Sequence, residues 1–247
     1  MRLSIKYQVI IFLVLFAVFI ALKNHDKIFL INTLIAVIAA VLVESAFLFF
    51  KRRTFSIHDS AIISGLIVGF VLADTNKWWL FCLAAIIAIL SKYFIRYHQK
   101  HIFNPAALGI VLTSILFGAQ TEWHGTFLWY ILLPAGIYFA YKINRLKLLL
   151  GYGIVSLPLF VIPAFIQHVN LLTIIGYYSY FYIFIMLIEP KTTPAKTYSQ
   201  FVFGAGVALT IYVLNQFNLS FEIELAVLLM FNLLVPWLNK LSEKRIV

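Results

Sequence analysis

Apolar residues fill long stretches of this chain, and the polar positions gather in short breaks between them. Reading the runs between breaks predicts helices near 7–22, 28–50, 61–73, 78–95, 105–118, 126–141, 146–166, 171–188, 195–214 and 221–238. Residues 28–50 hold a single charge, Glu44, and are long enough to cross a hydrocarbon core of ~30 Å. A helix also satisfies its own backbone there, as a membrane span must. The expectation is an all-α polytopic membrane protein of ten transmembrane helices, forming one transmembrane domain over 1–247 with no soluble domain.

Composition supports this reading, because 63% hydrophobic and 11% charged residues leave too little polar surface for a water-soluble globule. A net charge of +10 would point to nucleic acid in a soluble protein, but here the basic residues fall in the breaks and read as topology signals, so no nucleic-acid partner is expected. With the N-terminus inside, only Lys23, Lys27 and Lys77 face outward, against sixteen Lys and Arg on the inner side. A missed or invented helix would scramble that split. The chain is therefore expected in the inner (plasma) membrane, multi-pass, with both termini cytoplasmic and the lipid bilayer as its first partner. The opening MRLSIKYQVIIFLVLFAVFIALKNHDK has no small-x-small cleavage site before Lys23, so it stays as the first membrane helix. Ten helices divide into two sets of five, 1–120 and 121–247, the odd number that an inverted repeat requires, although the halves share no convincing identity.

Two helix starts on the expected inner face stand out. In HIFNPAALGIV, Asn104 is a favoured N-cap and Pro105 a favoured first helical residue; in IEPKTTPAKTYSQ, Thr193 and Pro194 repeat the pattern. Free N–H groups and the positive dipole end attract an anion there, with Arg96, Lys100, Lys191 and Lys196 nearby. The alternative is a pair of well-capped ends whose basic neighbours only fix topology. FSIHDSAIISGLIVGF adds a third start, where Asp59 or Ser60 can cap and Ser64-Gly65 permits close backbone approach. The third and fifth helices are also short, as ligand-bearing segments of transporter folds are.

Glu44 is the one acidic residue within a predicted span; the other eight lie at predicted ends or in loops. It reads either as part of a proton or sodium path or as a carboxylate paired with Lys51 or Arg52 near the inner surface. No histidine is mid-span, which excludes a b-type haem, and the lone Cys82 excludes a disulfide or iron–sulfur cluster built from this chain. No metal ligand set is assigned. Hydrolase, Walker and dinucleotide motifs are missing, so neither hydrolysis nor direct NADH binding has a visible site.

SAIISGLIVGF, KYFIRYHQKHIFNPAALGIV and IEPKTTPAKTYSQFVFGAGVAL together resemble the RnfD / NqrB family, the membrane components of ion-translocating electron transport complexes of the Rnf and Nqr types. The matching positions are Ser60 to Gly65, Phe103-Asn104-Pro105-Ala106, and Glu189 through Pro194, where Glu189 replaces the family's aspartate. The resemblance implies a ten-helix fold like that of urea transporters. It also implies a translocase subunit that is not catalytic alone, works with other membrane, iron–sulfur or flavoprotein subunits, and holds flavin. The family's Ser-x-Ala-Thr type attachment motif is absent; Thr121 and Thr126, in AQTEWHGTF, do not match it. The implied FMN or riboflavin is therefore non-covalent, with Ser60, Ser64, Gly65, Asn104, Pro105, Glu189, Thr192, Thr193 and Pro194 as candidate binding residues, Glu44 on the ion path, and no catalytic residue. The urea-transporter likeness keeps an alternative open, a channel or facilitator for a small polar solute.

Overall fold

The computed structural model describes residues 3–52, 58–98, 100–176, 178–217, 219 and 221–243. They divide into two compact units, Met1–Gly125 and Thr126–Val247. Both are helical. The only sheet among the described residues is a two-stranded antiparallel hairpin, β1 (Arg96–Tyr97) with β2 (Lys100–His101).

The first unit carries α1 (Ile5–Asn24), α2 (Lys27–Arg52), α3 (Asp59–Val71), α4 (Trp78–Phe94) and α5 (Pro105–Phe117). α2 packs on α3 and α4, α4 on α5, and α1 on α3. Glycine makes the tightest of these contacts: a Cβ on Gly65 would lie 2.6 Å from the Cα of Val37, so α3 meets the α2 backbone directly. Gly109 of α5 likewise faces the Ala84 carbonyl of α4. The thirteen residues of α3 reach only about 20 Å. It stops at Leu72 because the next stretch pairs sideways: Glu122 and His124 donate their N–H groups to the carbonyls of Val71 and Phe70, and Ala73 donates to Gln120. Carbonyls at a helix end need such partners.

The second unit carries α6 (Trp129–Lys142), α7 (Leu146–Ile166), α8 (Leu171–Gly176), a π-helical turn (Tyr182–Met186), α9 (Thr197–Asn215) and α10 (Ile223–Glu243). Its strongest packing is α7 against α9. Gly151 faces the Phe201 carbonyl and Gly204 faces the Leu148 carbonyl, so each helix supplies a gap for the other's backbone. Gly204 is thus taken up by helix contact.

Among the described residues, five helices are long and apolar enough to cross a membrane: α1, α2, α7, α9 and the Ile223–Lys240 part of α10. α3, α4 and α5 are apolar but shorter. The helix expected over 171–188 is not continuous. α8 ends at Gly176, a residue with no side chain to hold helical geometry, and the chain resumes as a π turn in which Leu187 N–H reaches the Tyr182 carbonyl. Residues 1–2 and 244–247, on which the expected placement of the termini rests, lie outside the described residues, as do 53–57 ahead of α3.

Candidate functional site

The first unit builds a polar cluster around Glu44, on α2. The Lys92 ammonium, on the last turn of α4, lies 3.8 Å from Glu44 Oε1, and the two side chains are 8% and 4% exposed. Tyr93 donates its hydroxyl to the same oxygen at 3.1 Å. Lys92 also donates to the Ser60 carbonyl at 2.9 Å, and Ser64 Oγ donates to that carbonyl at 2.8 Å. Glu44 Oε2 is buried without a hydrogen-bond partner. The expected pairing with Lys51 is therefore corrected: Lys51 is exposed and sits over the Phe47 ring, while the buried cation beside Glu44 is Lys92. The Arg52 side chain lies outside the described residues. Ser60 and Ser64 share this cluster, whereas Gly65 is pressed against α2.

The three helix starts differ. Asn104 caps α5 as expected: its Oδ1 accepts the Ala107 N–H at 3.0 Å, Pro105 occupies the first turn, and both are buried. α3 is not capped by Asp59 or Ser60. His58 holds the cap position without a side-chain cap bond, and Asp59 is the first helical residue, where its charge complements the dipole. α9 does not begin at Pro194; it begins at Thr197 with Lys196 in the cap position. The Thr193 hydroxyl is already committed, donating to the Glu189 carbonyl at 2.7 Å and accepting from Arg145 Nε at 2.8 Å.

Glu189 to Pro194 thus forms a laced loop in the second unit. Thr192 Oγ1 donates to Glu189 Oε2 at 3.2 Å, Asn232 donates to the Thr192 carbonyl, and Arg145 Nη2 donates to the Pro190 carbonyl at 2.9 Å. Thr192, Thr193 and Pro194 are buried, and Glu189 is half-buried. Burial lowers the Arg145 pKa, yet a guanidinium keeps its charge at neutral pH. Sequence reading counted Arg145 and Lys92 as loop topology signals; both are buried members of polar clusters. Their neighbours, 48 and 32 residues away along the chain, gave no local signal.

A third cluster joins the turn before α2 to the ends of α3 and the segment after α5. His124 Nδ1 lies 3.1 Å from the Phe70 carbonyl and Nε2 lies 3.0 Å from Asp74 Oδ2. Burial disfavours charging His124, but the hydrogen bond and charge of Asp74 lift its pKa above the ordinary value. Burial likewise opposes ionising Asp74, and the bonds from His124 and Asn32 outweigh it, holding the carboxyl below its usual range.

The model of the NQR2, RnfD, RnfE family matches residues 3–147, more than half of the chain. The chain belongs to that family. The D-type component of an ion-translocating oxidoreductase complex from Alcanivorax borkumensis is 37% identical over 98 residues, 38% of this chain and 29% of that protein. The proteins of the same description from Yersinia enterocolitica and Aliivibrio salmonicida are 33% and 29% identical over 99 residues, covering 28% of each. The chain therefore spans less than a third of the length of these curated relatives. Within the NQR2, RnfD, RnfE match lie Glu44, Ser60, Ser64, Lys92, Asn104 and Arg145, while Glu189 to Pro194 fall beyond it. Membership and the long apolar helices agree on a multi-pass membrane protein.

Proposed function

We propose that this chain is a membrane subunit of a redox-driven, ion-translocating electron transport complex, taking electrons from iron–sulfur or flavoprotein partners and not catalytic by itself. The observation that carries the reading is the family match over residues 3–147, and the relatives from ion-translocating oxidoreductase complexes point the same way. The proposed topology is ten crossings with both termini cytoplasmic in the inner membrane, supported by the sixteen-to-three division of basic residues. The proposed inverted repeat has support in the packing. The first helix of each unit meets its third segment, the second helix meets the third and fourth, and the fourth meets the fifth, in both units.

Glu44 is the ion-path carboxylate in this reading. A buried carboxylate oxygen with no hydrogen-bond partner, beside an ammonium at 3.8 Å, is a place where an arriving proton or sodium ion competes with Lys92. Lys92 then keeps the Ser60 carbonyl, which already accepts from it.

The proposed flavin, FMN or riboflavin, is held non-covalently. The start of α9 fits a flavin phosphate better than the start of α5: Lys196 holds the cap position without a side-chain cap bond, and Lys191 is exposed nearby, whereas Asn104 already occupies its own helix start. Glu189, Thr192, Thr193 and Pro194 shape the loop that leads there. Bound flavin would supply one- and two-electron transfer.

The test is to tag the chain in its native membrane, purify it gently and record composition, flavin absorbance and ion transport. Co-purifying redox subunits, flavin bound without a covalent link, and loss of ion transport in E44Q support the reading. Isolation of the chain alone, or flux of a small polar solute through proteoliposomes containing only this chain, overturns it.

A further inference from the structure

We propose that Asp26, Asp74 and His124 form a binding site for a single divalent cation of the zinc type, in the first unit, where the turn before α2 meets the segment after α5. One ligating atom from each of the three lies within 4.8 Å of the others. Nitrogen and oxygen ligands at ~2.1 Å from zinc in a tetrahedron stand roughly 3.4 Å apart. His124 Nε2 and Asp74 Oδ2, at 3.0 Å, already approach that separation.

Each ligand is aimed from outside the triad. Asp26 spends one oxygen on the Phe29 N–H at the start of α2, at 3.0 Å. Asp74 spends Oδ1 on the Asn32 amide at 3.1 Å, which turns Oδ2 toward His124. His124 meets the Phe70 carbonyl with Nδ1, and a carbonyl only accepts, so Nδ1 carries a proton; Nε2 faces the carboxylates, donating to Asp74 when protonated and offering its lone pair once that proton is displaced. Metal-binding histidines are fixed in this way, with the other ring nitrogen donating to a backbone carbonyl. The ring is also clamped by Phe29, stacked at 4.5 Å, and its side chain is only 6% exposed.

The decisive point is that Nε2 faces acceptors. Asp74 Oδ2 at 3.0 Å and Glu122 Oε2 at 3.8 Å are both carboxylate oxygens; without metal a ring proton on Nε2 bridges to Asp74, and a divalent cation takes that proton's place and leaves the ring neutral. Two aspartates and one neutral imidazole balance the charge of one divalent ion. The mixed nitrogen and oxygen set suits zinc or manganese rather than magnesium or calcium, which favour oxygen alone. Glu122, 60% exposed, stands where it can complete the coordination from the solvent side.

Calorimetric titration of zinc into the chelator-treated full chain, purified in detergent with its tag removed, tests this. One zinc per chain is expected, with magnesium giving no heat at the same concentration. H124A and D74N each weaken zinc at least tenfold, N32A weakens it by about tenfold as the loss of a ligand-orienting partner does, and H101A leaves it unchanged. Absence of stoichiometric zinc, or zinc affinity indifferent to both H124A and D74N, overturns the proposal. Because those variants can fail to fold, zinc X-ray absorption on the unaltered chain stands beside them. One imidazole with oxygen neighbours supports the site; several imidazoles, or sulfur from Cys82, overturns it.

Discussion

Replacing Lys92 with methionine keeps the length and apolar stem of the side chain and removes its charge. Glu44, only 4% exposed, then loses the ammonium 3.8 Å away and retains the Tyr93 hydroxyl at 3.1 Å. Removing one partner of a buried ion pair typically costs about 3–5 kcal/mol, because the remaining charge is desolvated without compensation. E44Q leaves Lys92 with the Ser60 carbonyl at 2.9 Å and belongs in the same range. The double variant E44Q/K92M strands no charge, so it should be less destabilised than either single variant. Reversible unfolding in detergent, followed for wild type, both single variants and the double variant, gives the coupling directly. A coupling energy of at least ~2 kcal/mol is expected from the compensated charge. If the two single losses merely add in the double variant, Glu44 and Lys92 do not act as a pair, and the proposed competition between an incoming ion and Lys92 falls with them.

The other expectations are shorter. G204A places a methyl group against the Leu148 carbonyl and should destabilise by about 1–3 kcal/mol through overpacking, whereas G153A, with nothing within 4 Å of the added methyl, should be tolerated; thermal unfolding separates them. T193A removes the acceptor of Arg145 Nε and should cost about 1–3 kcal/mol, with T193S restoring most of it; unchanged stability in T193A would show that the Glu189–Pro194 loop is not held by this contact. N104A leaves the Ala107 N–H without its cap and should cost about 1 kcal/mol, while N104D should retain the cap.

Asn104-Pro105 was legible because capping is local: the asparagine, the proline and the amide they serve lie within four residues. Thr193-Pro194 carried the same local signal and misled, because Arg145 and the Glu189 carbonyl claim the hydroxyl from outside the window that a sequence pattern covers. Apolar runs placed most helices within a few residues, yet hydropathy cannot distinguish a continuous helix from α8 followed by a π turn, since both are equally oily. Lys92 fits the rule that basic residues mark loops, being near a helix end, and only packing against α2 and α3 reveals it as buried. The triad of Asp26, Asp74 and His124 was unreadable for a related reason. Its members come from three separate breaks and meet only because the stretch around Glu122 pairs with the end of α3.

The π turn at Tyr182–Met186 contains one residue more than an α-helical path of the same rise would use, as the five-residue reach from Leu187 N–H to the Tyr182 carbonyl shows. Four α-helical residues turn through about 400°, close to what five turn through in a π segment, so deleting one of the five would relax the turn to ordinary helix and leave the downstream chain facing much as before, whereas forcing all five into α geometry would swing it by about 100°. In that second case Arg145 would lose the Pro190 carbonyl. The π turn therefore absorbs one residue of length locally, and the loop from Glu189 to Pro194 keeps its aim across a single-residue deletion there.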